Sequence, residues 1–156
     1  MCSSDLCAHH WLHSAMVAYE GEKMSKSLGN LVFISDLLER ADPRAIRLAL
    51  SRHHYRHGFE WFDTDLDEGS ALLRRLLAAA GREGGPDPRP FAARVRDAID
   101  DDLDTPHALD ALDDLASAIL SGDGRVDPAS GNARETLCEL GRLLGIDLEL
   151  PLAAGT

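Results

Sequence analysis

Between residues 63 and 148, leucine, alanine, isoleucine and valine return every three or four positions, and glycine or proline breaks the pattern about once per helix length. That recurrence gives a helix one apolar face, whereas a half-buried strand would alternate with period two. Four helical stretches follow. Asp63 or Thr64 caps the first, which runs to about Gly81 with Leu66, Leu72, Leu73, Leu76 and Leu77 on its apolar side. Gly84-Gly85-Pro86-Asp87-Pro88 reads as a linker. Phe91, Val95, Ala98 and Ile99 mark the second. Asp104-Thr105-Pro106 opens the third, striped by Leu109, Leu112, Leu115 and Ile119 and ended by Gly122 and Gly124. The fourth starts near Pro128, uses Ala133, Leu137, Leu140 and Leu144, and stops at Gly145. Aromatic residues make up only 5% of the chain, so its core has to be aliphatic. The expected fold is mainly α, with an antiparallel helical bundle over residues 63–148.

The first sixty residues read differently. Residues 11–19 are short, mixed and followed by a turn signal at Glu20-Gly21, and are expected to form a strand. After an apolar run at Leu31-Val32-Phe33-Ile34, Ser35 is expected to cap a helix over 36–40. Asp42-Pro43 is a strong start signal for another. His53, His54 and His57 could form a metal or acid–base cluster, but packing at a bend is the preferred reading. The carboxylates of 97–104 lack the ligand order of a calcium loop and are assigned to a solvated helix end.

Charge divides the chain in the same place. Residues 1–60 carry seven Lys/Arg and seven Asp/Glu, whereas residues 61–156 carry nine Arg and twenty Asp/Glu, which is the whole net charge of −11. Affinity for nucleic acid comes mainly from cationic side chains neutralising phosphates, so this half is not expected to bind it. No apolar run approaches the ~20 residues of a membrane span, and the start lacks a signal-peptide pattern. Together with only three cysteines (Cys2, Cys7 and Cys138), this points to a reducing cytoplasm and no membrane. Cys2, Cys7, His9 and His10 carry zinc-binding chemistry, but their spacing matches no compact zinc motif, and no metal ligand is assigned in this chain.

The chemistry concentrates at Gly21-Glu22-Lys23-Met24-Ser25-Lys26-Ser27-Leu28-Gly29-Asn30. This stretch holds the only two lysines; the other fourteen fixed cations are arginines. Its Gly, Ser and Asn content indicates a loop. Two compact, mobile ammonium groups with hydroxyls between them suit a polyphosphate whose charge shifts during reaction. The alternative is a solvated turn with two surface lysines.

Lys23-Met24-Ser25-Lys26-Ser27 resembles the KMSKS signature of class I aminoacyl-tRNA synthetases. The longer string, 22–30, resembles the form found in cysteinyl-tRNA synthetases and in the related cysteine ligases of mycothiol biosynthesis. "Asp-Pro-Arg-Ala-Ile-Arg-Leu" at 42–48, His54-Tyr55-Arg56 leading to Glu60-Trp61, and "Asp-Asp-Leu-Asp-Thr-Pro" at 101–106 extend the resemblance over about residues 9–148. The early stop after Leu143-Leu144-Gly145-Ile146-Asp147 and the acidic second half favour the ligases.

The resemblance implies a division of the chain. Residues 1–34 would be the C-terminal edge of a Rossmann-like nucleotide-binding domain, with its last strand and the lysine loop. Residues 35–62 would be a helical connection, 63–148 the helical bundle and 149–156 a tail. It also implies a C-terminal piece of an ATP-dependent, AMP-forming ligase. That enzyme joins L-cysteine to the amine of glucosaminyl-inositol through cysteinyl-adenylate, and the piece would be inactive alone. Lys23 and Lys26 would be catalytic. Val17, through its main chain, with Met24, Ser25 and Ser27, would complete the ATP and adenylate contacts. The family's zinc, which grips the cysteine thiol, would be held by segments upstream. A fragment of a cysteinyl-tRNA synthetase and a non-catalytic helical interaction module remain as alternatives.

Overall fold

The structure, a computed structural model, describes residues 11–122 and 132–150. Cys2, Cys7, His9, His10, Gly124 and Pro128 lie outside them. Among the described residues the chain is mostly helical, with one small three-stranded sheet in the order β2-β1-β3.

β1 (Val17–Tyr19) and β2 (Glu22–Lys23) form an antiparallel hairpin that pairs Ala18 with Lys23 and Tyr19 with Glu22. Its two turn residues, Glu20 and Gly21, have φ of 56° and 76°. Two left-handed residues match the twist a tight hairpin requires, which is what Gly21 supplies. β3 (Phe59–Glu60) adds in parallel on the other side of β1, and the Gly21 amide donates to Glu60 Oε1 at 2.7 Å across the sheet. The expected strand over 11–19 is thus only three residues long. Trp11, Leu12 and Met16 are exposed, so no burial rewards extending it.

α1 (Ile34–Leu38) begins at Phe33 rather than behind Ser35, whose hydroxyl is already inside the helix and donates to Asp36. α2 (Pro43–Ser51) starts where expected, and the Asp42 carboxylate accepts from the Arg44 amide at 2.9 Å. α3 (Asp63–Ala80) also departs from expectation at its start. Phe62 is the cap residue, and Asp65 reaches back to accept its amide at 2.7 Å, in place of a cap by Asp63 or Thr64. α4 (Arg89–Asp100) and α5 (Thr105–Ser121) follow, with Asp104 capping the latter. α6 (Ala133–Leu143) is capped by Asn132, which accepts from the Arg134 and Glu135 amides.

Two cores result. Leu72, Leu73, Leu76, Val95, Leu109, Leu112, Leu115, Ile119, Leu137 and Leu140 bury the stripes of α3 to α6 in one cluster, closed by Ile146 and Leu148. Leu37, Ala41, Ile46, Ala49, Trp61 and Leu66 form a second, against which Val17, Tyr19, Met24, Val32 and Phe59 pack. Helix α2 serves both: Ala45 and Leu48 belong to the first, Ile46 and Ala49 to the second. The sheet and the lysine loop therefore rest on α1, α2 and the start of α3.

The α2–α3 crossing depends on Gly69. A Cβ there would lie 2.4 Å from the Ala45 carbonyl oxygen and 2.9 Å from the Ala49 nitrogen. Both are backbone atoms of a packed helix and cannot rotate aside. Gly69→Ala is expected to lower stability by about 1–3 kcal/mol, although alanine is the better helix former. A denaturant midpoint at or above that of the parent would contradict the close approach.

Candidate functional site

The hairpin delivers Lys23 at the end of β2, and the chain then turns through Met24-Ser25-Lys26-Ser27-Leu28-Gly29-Asn30. Three kinds of contact shape this loop. The Met24 amide donates to the Val17 carbonyl at 3.2 Å, while its side chain packs against the second core. Asn30 acts as a clasp: its Oδ1 accepts the Ser25 amide at 2.9 Å, and its Nδ2 donates to the carbonyls of Tyr19 and Lys23 at 3.5 and 3.4 Å. One amide can do both because it carries an acceptor and two donors. Within the loop, the Ser25 and Ser27 hydroxyls lie 3.2 Å apart, and Ser25 Oγ accepts the Leu28 amide at 3.3 Å. Gly29 has φ 69°, the left-handed turn that brings the chain back to the clasp.

The outcome is a pinned base with an exposed tip. Lys23, Lys26 and Ser27 face solvent, while Met24 and Ser25 are half-buried. Arginines 40, 44, 52, 56, 75, 89, 94 and 142 each pair with a carboxylate. Among the described residues neither lysine does, even though the chain has eleven more acids than fixed bases. Val17 is half-buried, its carbonyl already accepting from Met24; a second lone pair on that oxygen remains. The structure thus places Lys23, Met24, Ser25, Lys26 and Ser27 on the edge strand and the loop that follows it, with Val17 on the central strand bonded to Met24.

Asn30 was not among the residues singled out in the sequence. Its signal was its place as the last residue of the 22–30 string, and a lone Asn after Gly is too common to read as a clasp.

The histidines are used in packing. His53 stacks on Phe59 with ring centroids 3.8 Å apart, and its Nε2 lies 3.3 Å from Asp65 Oδ1. His54 stacks on Tyr55 at 5.1 Å. The acidic run is more than a solvated helix end. Asp102 accepts from the Tyr55 hydroxyl at 2.6 Å and from the Arg56 guanidinium through both its oxygens, and Asp104 caps α5. Among the described residues no group of three or more His, Cys, Asp or Glu side chains is arranged to hold a metal ion, and none of their helices is long and apolar enough to cross a membrane.

Residues 1–71 match the family model described as tRNA synthetases class I (C) catalytic domain. Over 143 residues the chain is 52% identical to the L-cysteine:1D-myo-inositol 2-amino-2-deoxy-alpha-D-glucopyranoside ligase of Thermobifida fusca, a match covering 91% of this chain and 34% of that protein. The ligase of the same name from Thermobispora bispora is 50% identical over 141 residues, covering 90% and 33%, and that from a Parafrankia strain 45% over 155 residues, covering 96% and 34%. The chain is a relative of these ligases and spans about a third of their length.

Proposed function

We propose that this chain carries the lysine-loop edge and helical domain of an ATP-dependent cysteine ligase that acts on the amine of glucosaminyl-inositol. The observation that carries the reading is the pair of exposed lysines, without an ion pair among the described residues, on a loop pinned by Asn30, in a chain half identical to ligases named for those substrates. In this reading residues 1–34 are the edge of the nucleotide-binding domain, 35–62 the connection, 63–148 an antiparallel helical bundle and 149–156 a tail.

The chemistry has two steps. A cysteine carboxylate oxygen attacks the α-phosphorus of ATP, forming cysteinyl-adenylate and releasing pyrophosphate. The amino-sugar nitrogen then attacks the acyl carbon, forming the amide and releasing AMP. Lys23 and Lys26 neutralise the charge that grows on the departing pyrophosphate, and Ser25 and Ser27 donate hydrogen bonds to it. The adenine lies against the Val17 main chain and Met24 backs the nucleotide. Closure of the loop keeps water from the adenylate. The family's zinc is assigned to segments outside this chain, and no step here is routed through it. One wall of a nucleotide site does not suffice for catalysis, so the 156-residue chain alone is inactive in this reading.

The test is cysteine-dependent exchange of pyrophosphate into ATP by a polypeptide of the relatives' full length that includes this segment, followed by acceptor choice. Exchange with transfer to the amino-sugar is the expected result. No exchange would reduce the segment to a helical interaction module, and transfer to tRNA would make it a synthetase. Residues 61–156, with all of the net charge of −11, are expected to bind tRNA weakly or not at all at physiological salt. Tight, salt-sensitive binding in a filter or mobility assay would contradict the choice of acceptor.

A further inference from the structure

The turn between α4 and α5 holds two consecutive non-glycine residues in the left-handed region, Asp102 at φ 57° and Leu103 at φ 56°. Such residues persist only where the surroundings over-determine them, and they cluster where geometry has a use. Local bonds account for part of this: the Leu103 amide donates to Ile99 and the Asp104 amide to Ala98. The strained conformation also turns the Asp102 carboxylate outward, across to the bend that follows α2. There Arg56 grips both its oxygens and the Tyr55 hydroxyl donates to one of them. Arg56 and then Tyr55 hold the carboxyl well below the usual carboxylate range.

The gripped bend carries the sheet. The Tyr55 carbonyl accepts the Ala15 amide at 2.8 Å, just before β1. Beyond the bend, β3 pairs with β1, the Ala18 carbonyl accepts the Trp61 amide at 2.9 Å, and Glu60 holds the hairpin turn at Gly21. A Cβ on Gly58 would stand 3.3 Å from the Met16 carbonyl oxygen, so bend and strand are in close contact. β1 and β2 in turn hold Lys23 and the carbonyls to which Asn30 is clasped. An unbroken series of contacts runs from a helix–helix turn to the lysine loop.

We propose that Asp102 is a positioning residue for the lysine loop, clamping the Tyr55-Arg56 bend so that the helical domain sets where Lys23 and Lys26 stand. The proposal deepens the ligase reading and rests on it for its catalytic meaning, though the clamp itself can be measured without any substrate.

The loop contains the only two lysines, so a lysine-specific endoproteinase can cut the 156-residue chain nowhere else. Its cleavage rate reports how often the loop opens. Asp102→Gly removes the clamp while relieving the left-handed backbone. It is expected to raise the cleavage rate about three- to tenfold with the melting temperature within about 2 °C of the parent. Asp102→Asn tolerates the same φ and keeps an acceptor for Tyr55, and should raise cleavage only about twofold. Arg56→Ala should match Asp102→Gly, with the double variant no faster than either single one. Cleavage of Asp102→Gly at the parent rate would overturn the proposal. So would a rise that appears only with a matching fall in melting temperature, because that is global loosening. A clamp that behaves as expected in a chain whose full-length form exchanges no pyrophosphate would leave the positioning and remove the ligase reading; the converse pattern would do the opposite.

Discussion

Replacing Arg44 with alanine should lower the stability of the chain by about 3–5 kcal/mol, seen as a drop in denaturant midpoint at unchanged slope. The side chain is nine-tenths buried, and so is its partner Asp42. The guanidinium donates through Nε and Nη2 to the two oxygens of Asp42, at 2.9 and 2.7 Å, and through Nη1 to the carbonyls of Asp147 and Leu150, at 2.7 and 2.9 Å. It therefore ties the first turn of α2 to the segment after α6, more than a hundred residues away. Truncation would take the guanidinium away from a buried carboxylate and from two carbonyls, which is the costly way to break such a pair. Arg44→Lys keeps the charge, but one ammonium cannot reproduce a planar fork that meets a carboxylate and two carbonyls together, so it should recover less than half of the loss. A midpoint for Arg44→Ala within experimental scatter of the parent would mean that residues 147–150 are not docked on α2.

For this pair the sequence shows the helix start but not the long-range bonds. Asp42-Pro43 announced a helix start correctly, because a cap and a proline act within one turn and need no knowledge of the rest of the chain. In the sequence Arg44 is one of several arginines among apolar residues, and only the fold shows that its fork meets residues 147–150. The same division holds elsewhere. Leu109, Leu112, Leu115 and Ile119 were legible because burial follows helical period, and all four are buried. Phe62 as the cap of α3 was not, since its own side chain caps nothing and the bond comes back from Asp65. The strand over 11–19 was overestimated because a mixed apolar pattern says nothing of whether a neighbour exists to cover it. At the lysine loop the residue types suggested a site for a polyphosphate, and the resemblance named the reaction. The clasp at Asn30 and the clamp at Asp102 were hidden for a common reason. Each is a polar side chain whose value lies in partners distant in sequence or in main-chain groups that a sequence does not locate.

Lys26→Ala, introduced into a polypeptide of the relatives' full length, should slow adenylate formation by about 10²–10³-fold, the loss typical of one preorganised transition-state donor. Lys26 is exposed, and among the described residues no carboxylate of the chain engages it, so the substitution removes a charge without leaving a partner stranded. Stability should stay within about 0.5 kcal/mol of the parent, which separates this variant from Arg44→Ala. If the ammonium meets pyrophosphate chiefly as it departs, cysteine binding should barely weaken, because an interaction stronger in the transition state lowers the barrier without tightening the ground state. The second step, attack of the amine on supplied cysteinyl-adenylate, involves no pyrophosphate and should run at nearly the parent rate. Lys26→Arg should restore only part of the first step: the charge returns on a larger, planar group, at the tip of a loop shaped by the 3.2 Å approach of Ser25 and Ser27. Single-turnover measurements on the two steps separate these effects. Adenylate formation by Lys26→Ala at the parent rate would make the loop a surface turn and remove the basis for assigning catalysis to it.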